Sequence, residues 1–164
     1  MSCYCGLPKP FQSCCQPIID GIKVADTPEK LMRSRYSAYA TVASDYLFNT
    51  TALSNQVNIS IEQIQQWAKQ THWIKLTIEA ADNSSLTNYD SDAWPTVQFT
   101  ALYIYQNKLC QLTESSVFII EQQQWKYLSG NILVDEQIST LKRNQPCPCG
   151  SQKKYKRCCI KPGF

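Results

Sequence analysis

Residues 60–80, SIEQIQQWAKQTHWIKLTIEA, change their hydrophobic period from that of a helix to that of a strand. Ser60 and Gln63 have the spacing of a capping box, which predicts that a helix begins after Ser60. The predicted apolar stripe of this helix is Ile64, Trp67 and Ala68. From residue 73 onward apolar and polar residues alternate, as in a strand with one buried face. The apolar members of this alternation are Ile74, Leu76, Ile78 and Ala80.

Another helix is predicted upstream of this stretch. Thr27, Pro28 and Glu29 supply a capping hydroxyl, a proline at the first helical position and an early acid. At about 100° per residue, the residues that follow form one broad apolar face. Its members are Leu31, Met32, Tyr36, Ala38, Tyr39, Val42 and Ala43. Arg35 lies in the middle of this face, where a charge is unexpected.

Downstream of residue 80 the pattern is that of strands joined by turns. A loop rich in Asn, Ser and Asp covers residues 82–95, and strand-like runs follow at 96–105, 109–120 and 125–129. Helices followed by hairpin-connected strands predict an α+β domain in which helices pack on an antiparallel sheet.

Eight of the nine cysteines form two clusters with the same spacing, one near each end of the chain. In each cluster a C-x-C pair is followed by eight other residues and then by two adjacent cysteines. The clusters are Cys3, Cys5, Cys14 and Cys15, and Cys147, Cys149, Cys158 and Cys159. Four thiolates suit a tetrahedral zinc ion. Gly6 and Gly150 follow the second cysteine of each cluster, where a positive φ, or exposed amides turned toward sulfur, would be useful.

Two structural zinc ions are therefore predicted, one in each cluster. Disulfides fit poorly, because C-x-C and adjacent pairs close strained rings and nothing marks the chain as secreted. An iron–sulfur cluster or a Cu(I) site stays open as an alternative for an all-thiolate set.

The basic residues concentrate at the C-terminal end. Residues 142–164 contain seven basic residues and no acid, whereas the preceding 141 residues contain nine basic and thirteen acidic residues. Such a tail predicts contact with an anionic partner, and a phosphate backbone, an acidic protein surface and an anionic lipid are all open at this point. The residues expected to bind it are Lys153, Lys154, Lys156 and Arg157. The alternative is that these cations only balance the negative charge of a four-thiolate zinc site.

Residues 143–159, RNQPCPCGSQKKYKRCC, resemble the SEC-C zinc motif. This motif ends many SecA translocase ATPases, where it contacts the chaperone SecB and the ribosome, so the resemblance implies a protein or ribonucleoprotein partner. Gln152 stands where the motif usually has glycine, and Cys159 where SecA commonly has histidine. The N-terminal copy departs further, with Leu7 and Pro8 replacing the usual Ser-Gly.

Residues 28–39, PEKLMRSRYSAY, are similar to the YchJ family, as is the order zinc motif, central domain, zinc motif. The resemblance implies a nuclear-transport-factor-two-like central domain, in which a curved sheet wraps around helices into a cone. The implied division is 1–27, 28–141 and 142–164. The family has no settled biochemical role. Around Glu114 it tends to carry a histidine and two arginines, where this chain has Thr113, Ser115 and Val117.

Arg35 and Glu114 are the candidate pocket residues. By alternation Glu114 shares its strand face with apolar side chains, so both charges are expected inside the cone. A structural Arg–Glu ion pair is the favoured interpretation. The alternative is a pocket that binds a small polar ligand or moves a proton. His72 is expected to cap the C-terminus of its helix, and a Cys110–His72 nucleophile pair is the less favoured possibility.

No phosphate-binding loop, nucleotide fingerprint or paired-carboxylate motif is present, so catalysis is not indicated. No apolar run reaches the roughly 18 residues that a membrane span requires, and no signal sequence is recognised, which predicts a cytoplasmic protein. Two functions are considered: a zinc-dependent adaptor that uses the basic C-terminal motif, and a small-molecule-binding protein or enzyme that uses the cone.

Overall fold

A computed structural model describes residues 2–82, 85–86 and 94–160 of the chain. Most of the loop predicted at 82–95 lies outside the described residues. The α-helices are α1 (Gln16–Ile19), α2 (Pro28–Thr41), α3 (Ser44–Asn49), α4 (Leu53–Gln56) and α5 (Ile61–Gln70), and single 3-10 turns span Phe11–Ser13 and Tyr155–Arg157.

Both predicted helix starts are confirmed. The Thr27 hydroxyl accepts a hydrogen bond from the N–H of Lys30, at 3.2 Å, and the capping box at Ser60 is complete. Helix α2 is buried on more than its apolar face. Ser34 and Ser37, on its other side, are fully buried because the N-terminal segment and α3 pack there.

The strands are β1 (Thr71–Ala81), β2 (Thr96–Tyr105), β3 (Lys108–Glu121) and β4 (Gln124–Thr140). They form one curved antiparallel sheet in the order β1-β2-β3-β4, and α2 packs across it in contact with β1, β2 and β4. The predicted α+β fold is confirmed. Strand β4 is the main difference, since it continues to Thr140 instead of ending at residue 129.

Two β-bulges in β1 alter its predicted core face. The register with β2 skips Ile74 and Glu79, and each extra residue reverses the face of those that follow. The residues of β1 that pack in the main core are Trp73, Leu76, Ile78 and Ala81. The predicted face is therefore wrong at both ends, and Ile74 packs in a separate cluster beside the C-terminal cysteines.

Strand β4 contains three bulges, because its register with β3 skips Leu128, Leu133 and Ile138. It lies at the edge of the sheet, and beyond Ser129 most of its side chains are exposed. A strand whose side chains are exposed on both faces needs no alternation of apolar and polar residues. The sequence therefore predicted a strand that ends at residue 129, eleven residues before the end of β4.

Two hydrophobic clusters lie on opposite faces of the sheet. The main core lies between α2 and the sheet, and includes Leu31, Phe118 and Trp125 together with N-terminal cysteines. The smaller cluster contains Ile104, whose neighbour Tyr103 stacks with Trp73 on the main-core side. Its other buried members are Leu141, Cys147 and Tyr155. Among the described residues, no helix combines the length and the apolar character needed to cross a membrane.

Candidate metal centres and central pocket

The N-terminal knuckle (residues 2–15) gathers its four cysteine sulfur atoms. All four Sγ atoms lie within 4.8 Å of one another. The Sγ of Cys14 is 3.7 Å from that of Cys5 and 3.9 Å from that of Cys15. Sulfur atoms on one edge of a tetrahedral zinc site are about 3.8 Å apart. The cluster can therefore hold a metal ion without a large movement.

The C-terminal knuckle (residues 146–159) has an equivalent arrangement. Its four Sγ atoms also lie within 4.8 Å of one another. The Sγ of Cys158 is 3.4 Å from that of Cys149 and 3.8 Å from that of Cys159. A disulfide would require about 2.05 Å, and all nine cysteines are free thiols, so the disulfide alternative does not hold.

The same backbone turns build both knuckles. Gly6 has a φ of 85° and donates its N–H to the carbonyl of Cys3, while Gly150 has a φ of 76° and donates to the carbonyl of Cys147. The positive φ predicted for both glycines is confirmed. A 3-10 turn precedes the adjacent cysteine pair in each knuckle.

Burial and mutual hydrogen bonds spread the pKa values of the thiols within each cluster. Hydrogen bonds from neighbouring thiols, above all Cys15, lower the pKa of Cys5 to about 5 despite its burial. Burial and the neighbouring Cys5 raise the pKa of Cys14 to about 12. In the C-terminal knuckle burial raises the pKa of Cys149, but hydrogen bonds from Ser151 and nearby thiols bring it to about 6. A metal ion that binds such a cluster displaces the thiol protons, and its charge offsets the repulsion among the four thiolates.

Helix α2 supports the N-terminal knuckle through residues that the sequence analysis did not single out. Arg33 donates from Nη1 to the carbonyl oxygen of Cys5, at 2.8 Å, and is held by an ion pair with Glu29. The Ser37 hydroxyl lies 3.7 Å from the Sγ of Cys3. Ser37 and Arg33 lie four residues apart, so both reach the knuckle from one side of the helix.

The C-terminal knuckle is attached to the turn between β2 and β3. Tyr155 is 2% exposed, and its hydroxyl donates to Asn107 Oδ1 at 3.0 Å. The carbonyl oxygen of Asn107 accepts a hydrogen bond from the N–H of Leu141, at 2.8 Å. This knuckle therefore rests on the outer face of the sheet, while the N-terminal knuckle is part of the main core.

Arg35 and Glu114 both line a pocket between α2 and the sheet. The favoured ion pair between them is wrong, because no ion pair joins them among the described residues. Arg35 instead donates from Nη1 to the carbonyl oxygen of Leu47, at 2.9 Å, and to the Thr50 hydroxyl, at 2.7 Å. Its Cζ lies 4.8 Å from the centre of the Tyr127 ring, a cation–π contact.

Glu114 is held by two hydroxyl groups that the sequence analysis missed. Ser116 and Tyr127 donate to its Oε1 atom, at 2.6 Å and 3.2 Å. Burial, together with the charge of Glu114, raises the pKa of Tyr127, so its phenol stays protonated as a donor. Gly130 lies against the Glu114 carboxyl, where a Cβ would collide with it. Tyr127 thus links the two charges, by its ring to Arg35 and by its hydroxyl to Glu114.

The Cys110–His72 pair is excluded by the register of the sheet. Cys110 pairs with Tyr103, while His72 pairs with Ile104. Because neighbouring residues of a strand point to opposite faces, Cys110 and His72 lie on opposite faces of the sheet. The cap position at the end of α5 belongs to Thr71, and His72 lies in β1. The capping role of His72 stays a prediction.

Comparison with known proteins identifies the family. Residues 27–130 match the family described as "YchJ, middle NTF2-like domain", and residues 143–161 match the SEC-C motif. A UPF0225 protein of Shewanella sp. (strain ANA-3) is 35% identical over 98% of this chain and 96% of its own length. The chain belongs to the YchJ/UPF0225 family. A UPF0225 protein of Photorhabdus laumondii is 36% identical over 96% of this chain and 97% of its own.

Two solved structures are similar to this YchJ/UPF0225 protein. The solution structure of a SEC-C motif containing protein from Rhodopseudomonas palustris has a TM-score of 0.71 and 26% identity, and covers 82% of this chain and 100% of its own. The crystal structure of a SEC-C motif containing protein from Psychrobacter arcticus has a TM-score of 0.64 and 30% identity. It covers 97% of this chain and 95% of its own.

The departures from the YchJ/UPF0225 pattern near Glu114 lie outside the pocket. Thr113, Ser115 and Val117 alternate with Glu114 and Ser116 along β3, so all three lie on the other face of the sheet. In the C-terminal knuckle, Gln152 has a φ of 60°, in the left-handed region. This conformation explains why the SEC-C motif usually has glycine at that position.

Proposed function

We propose that this protein is a two-zinc adaptor whose basic C-terminal knuckle docks on an anionic surface of a protein or ribonucleoprotein. The observation that carries the proposal is a group of exposed cations on and beside this knuckle. Each is exposed, and none takes part in an ion pair within the described residues. The group, called the basic surface below, is Lys142, Arg143, Lys153, Lys154, Lys156 and Arg157.

The backbone brings the two halves of the basic surface together. The N–H of Lys156 donates to the carbonyl oxygen of Arg143, at 3.0 Å, and that of Tyr155 donates to Gln145, at 2.9 Å. The segment at 142–145 therefore lies beside the segment at 155–157. Clustered unpaired cations attract an anionic partner and speed its association.

Neutralising the metal site accounts poorly for so many cations. The N-terminal knuckle has the same four-thiolate set, but its loop contains one cation, Lys9, and Arg33 of α2 contacts its backbone. The C-terminal knuckle has four cations within its own loop, from Lys153 to Arg157. The excess supports a docking role over simple neutralisation of charge. The cytoplasmic location stays a prediction.

Elemental analysis of protein purified without chelator tests the choice of metal. Zinc close to two equivalents per chain is expected, because both clusters have four thiolate ligands at tetrahedral spacing. Iron or copper as the dominant metal would support an iron–sulfur or Cu(I) site instead. One equivalent of zinc would show that only one knuckle is a metal centre.

Docking is tested with a triple variant, K153Q/K154Q/K156Q, and with a truncated chain whose last residue is Asn144. Cosedimentation with purified bacterial ribosomes tests the ribonucleoprotein partner, and affinity capture from a bacterial lysate tests a protein partner. The matched control is K23Q/K75Q/K108Q, which removes three exposed lysines elsewhere. All full-length variants should retain two zinc ions.

Binding that is lost in the triple variant and kept in the control would support the proposal. It should also weaken as the salt concentration rises, since exposed charges are screened. Equal binding by the wild type, the triple variant and the deletion would show that the basic surface does not dock.

A further inference from the structure

The pocket beside Arg35 has aromatic walls. It has a volume of about 140 Å³ between α2, α5 and the sheet. The rings of Tyr36 and Tyr39 each lie 5.4 Å, centre to centre, from the ring of Trp73, and all three residues line the pocket. Phe99 and Leu112 contribute further apolar surface. Such walls favour a flat ring, which can stack or meet them edge to face.

The pocket also presents one charge of each sign, and each has an edge that no described residue contacts through a hydrogen bond. Arg35 uses Nη1 for its hydrogen bonds, and no described residue accepts from its Nε or Nη2. Glu114 accepts two hydrogen bonds at Oε1, and no described residue donates to its Oε2. Since Arg35 and Glu114 do not pair with each other, a bound molecule can offer an acceptor to one and a donor to the other.

The opposite charges of Arg35 and Glu114 indicate which class of small molecule the pocket can bind. An anion would satisfy Arg35 and be repelled by Glu114, and a cation would do the reverse. A molecule that is neutral, and has an acceptor and a donor on one group, satisfies both without bringing a new charge into a buried site. Amide and lactam groups carry a carbonyl oxygen and an N–H side by side.

We propose that this pocket binds a small, uncharged, planar ring compound that carries an amide or lactam group. Its carbonyl oxygen accepts from Arg35, its N–H donates to Glu114, and its ring lies among Tyr36, Tyr39 and Trp73. An apolar cavity of about 150 Å³ holds one benzene ring, so the volume suits a single-ring compound. This inference goes beyond the adaptor role and does not involve the basic surface.

The test compares four single-ring probes of nearly equal size on the full-length zinc-loaded protein. Benzamide has both the donor and the acceptor, benzoate is an anion, benzylamine is a cation at neutral pH, and toluene has no polar group. Titrations monitored by tryptophan fluorescence and by the thermal midpoint measure binding, since Trp73 lines the site. Benzamide is expected to bind about tenfold more tightly than any of the others.

The variant Glu114→Gln should weaken benzamide binding about tenfold. Ser116 and Tyr127 donate to Oε1, so the new amide group turns its NH₂ toward the bound N–H and presents a donor to a donor. The matched control, Glu136→Gln, makes the same change at an exposed position of β4 away from the pocket, and should bind like the wild type.

If Glu114→Gln does not fold, as judged by circular dichroism and zinc content, Leu112→Phe narrows the pocket without changing a charge and should also weaken binding. Three results would overturn the proposal: no binding of benzamide at millimolar concentration, toluene or a charged probe binding as tightly as benzamide, or unchanged affinity in the folded variants.

Discussion

Gln152 adopts a backbone conformation that suits glycine better. Its φ of 60° costs a residue with a Cβ about 1 kcal/mol. Gln152→Gly should therefore stabilise the C-terminal knuckle by about that amount, because the strain disappears and the side chain is exposed. Competition for zinc with a chelator measures the gain. Asn144→Gly is the control, since Asn144 has no positive φ to relieve, and it should leave the knuckle unchanged or slightly weaker.

The Glu114 carboxyl fills the space that a side chain at position 130 would need, which favours glycine there. In Gly130→Ala the new Cβ would collide with that carboxyl and force it away from Ser116 and Tyr127. The expected cost is about 1 kcal/mol in the free energy of unfolding, because the displaced carboxyl loses its hydrogen bonds to Ser116 and Tyr127. Urea unfolding measures it.

A double-mutant cycle identifies the cause of this cost. In a Glu114→Ala background the carboxyl is absent, so Gly130→Ala should cost much less than in the wild type. Equal costs in both backgrounds would mean that Gly130 is needed for its backbone and not for the space it leaves to Glu114.

At the scale of elements, the periodicity of the sequence was sufficient for helix starts and for β2, but not for strands with bulges. The skipped residue Leu128 shifts the alternation of β4, so that Gly130 lies on the same face as Tyr127. Arg35 and Glu114 could be placed in one pocket from the sequence, because each lies on the apolar face of its helix or strand. Tyr127 and Gly130 could not, because the bulge between them decides which face Gly130 occupies. The position of that bulge depends on pairing with β3 and not on the local pattern.

The gathering of the cysteines into two clusters was predictable from spacing, whereas the attachment of the knuckles was not. The four cysteines of a cluster are close in sequence, so their spacing indicates which sulfur atoms can bind the same ion. Whether a knuckle lies in the core or on a surface depends on distant residues, such as Ser37 for the N-terminal knuckle and Asn107 for the C-terminal one. The division at residues 27 and 141 stays a prediction.

The two knuckles should differ in what they contribute to folding. Cys5 is fully buried within the main core, so Cys5→Ser should remove several kcal/mol from the stability of the whole domain. Cys158 is half-buried on the outer face, and Cys158→Ser should disorder its own knuckle while the main unfolding transition shifts little.

Thermal unfolding followed by circular dichroism, with zinc content measured on the same samples, distinguishes the two variants. Cys110→Ser is the control, because it replaces a buried cysteine outside both clusters. A large loss of stability in Cys158→Ser, or none in Cys5→Ser, would contradict this assignment of roles.

At the scale of the whole molecule, the sheet separates two four-cysteine clusters of different accessibility. The N-terminal cysteines Cys3, Cys5 and Cys15 are at most 4% exposed and share the core with α2. In the C-terminal knuckle only Cys147 is buried to a similar extent, and the other three are half-buried. A chelator must reach the metal or wait for the knuckle to open. Opening is easier where fewer apolar contacts are broken.

We therefore expect zinc to leave the protein in two kinetic phases of about one equivalent each. Excess 4-(2-pyridylazo)resorcinol, which changes colour on binding zinc, follows both phases in one experiment. The fast phase should come from the C-terminal knuckle and disappear in Cys158→Ser, whereas the slow phase should disappear in Cys5→Ser. The slow phase should also accelerate in mild urea together with the opening of the main core, because the N-terminal knuckle is part of that core. A single phase, or a fast phase that survives in Cys158→Ser, would mean that burial does not set the order in which the metals are lost.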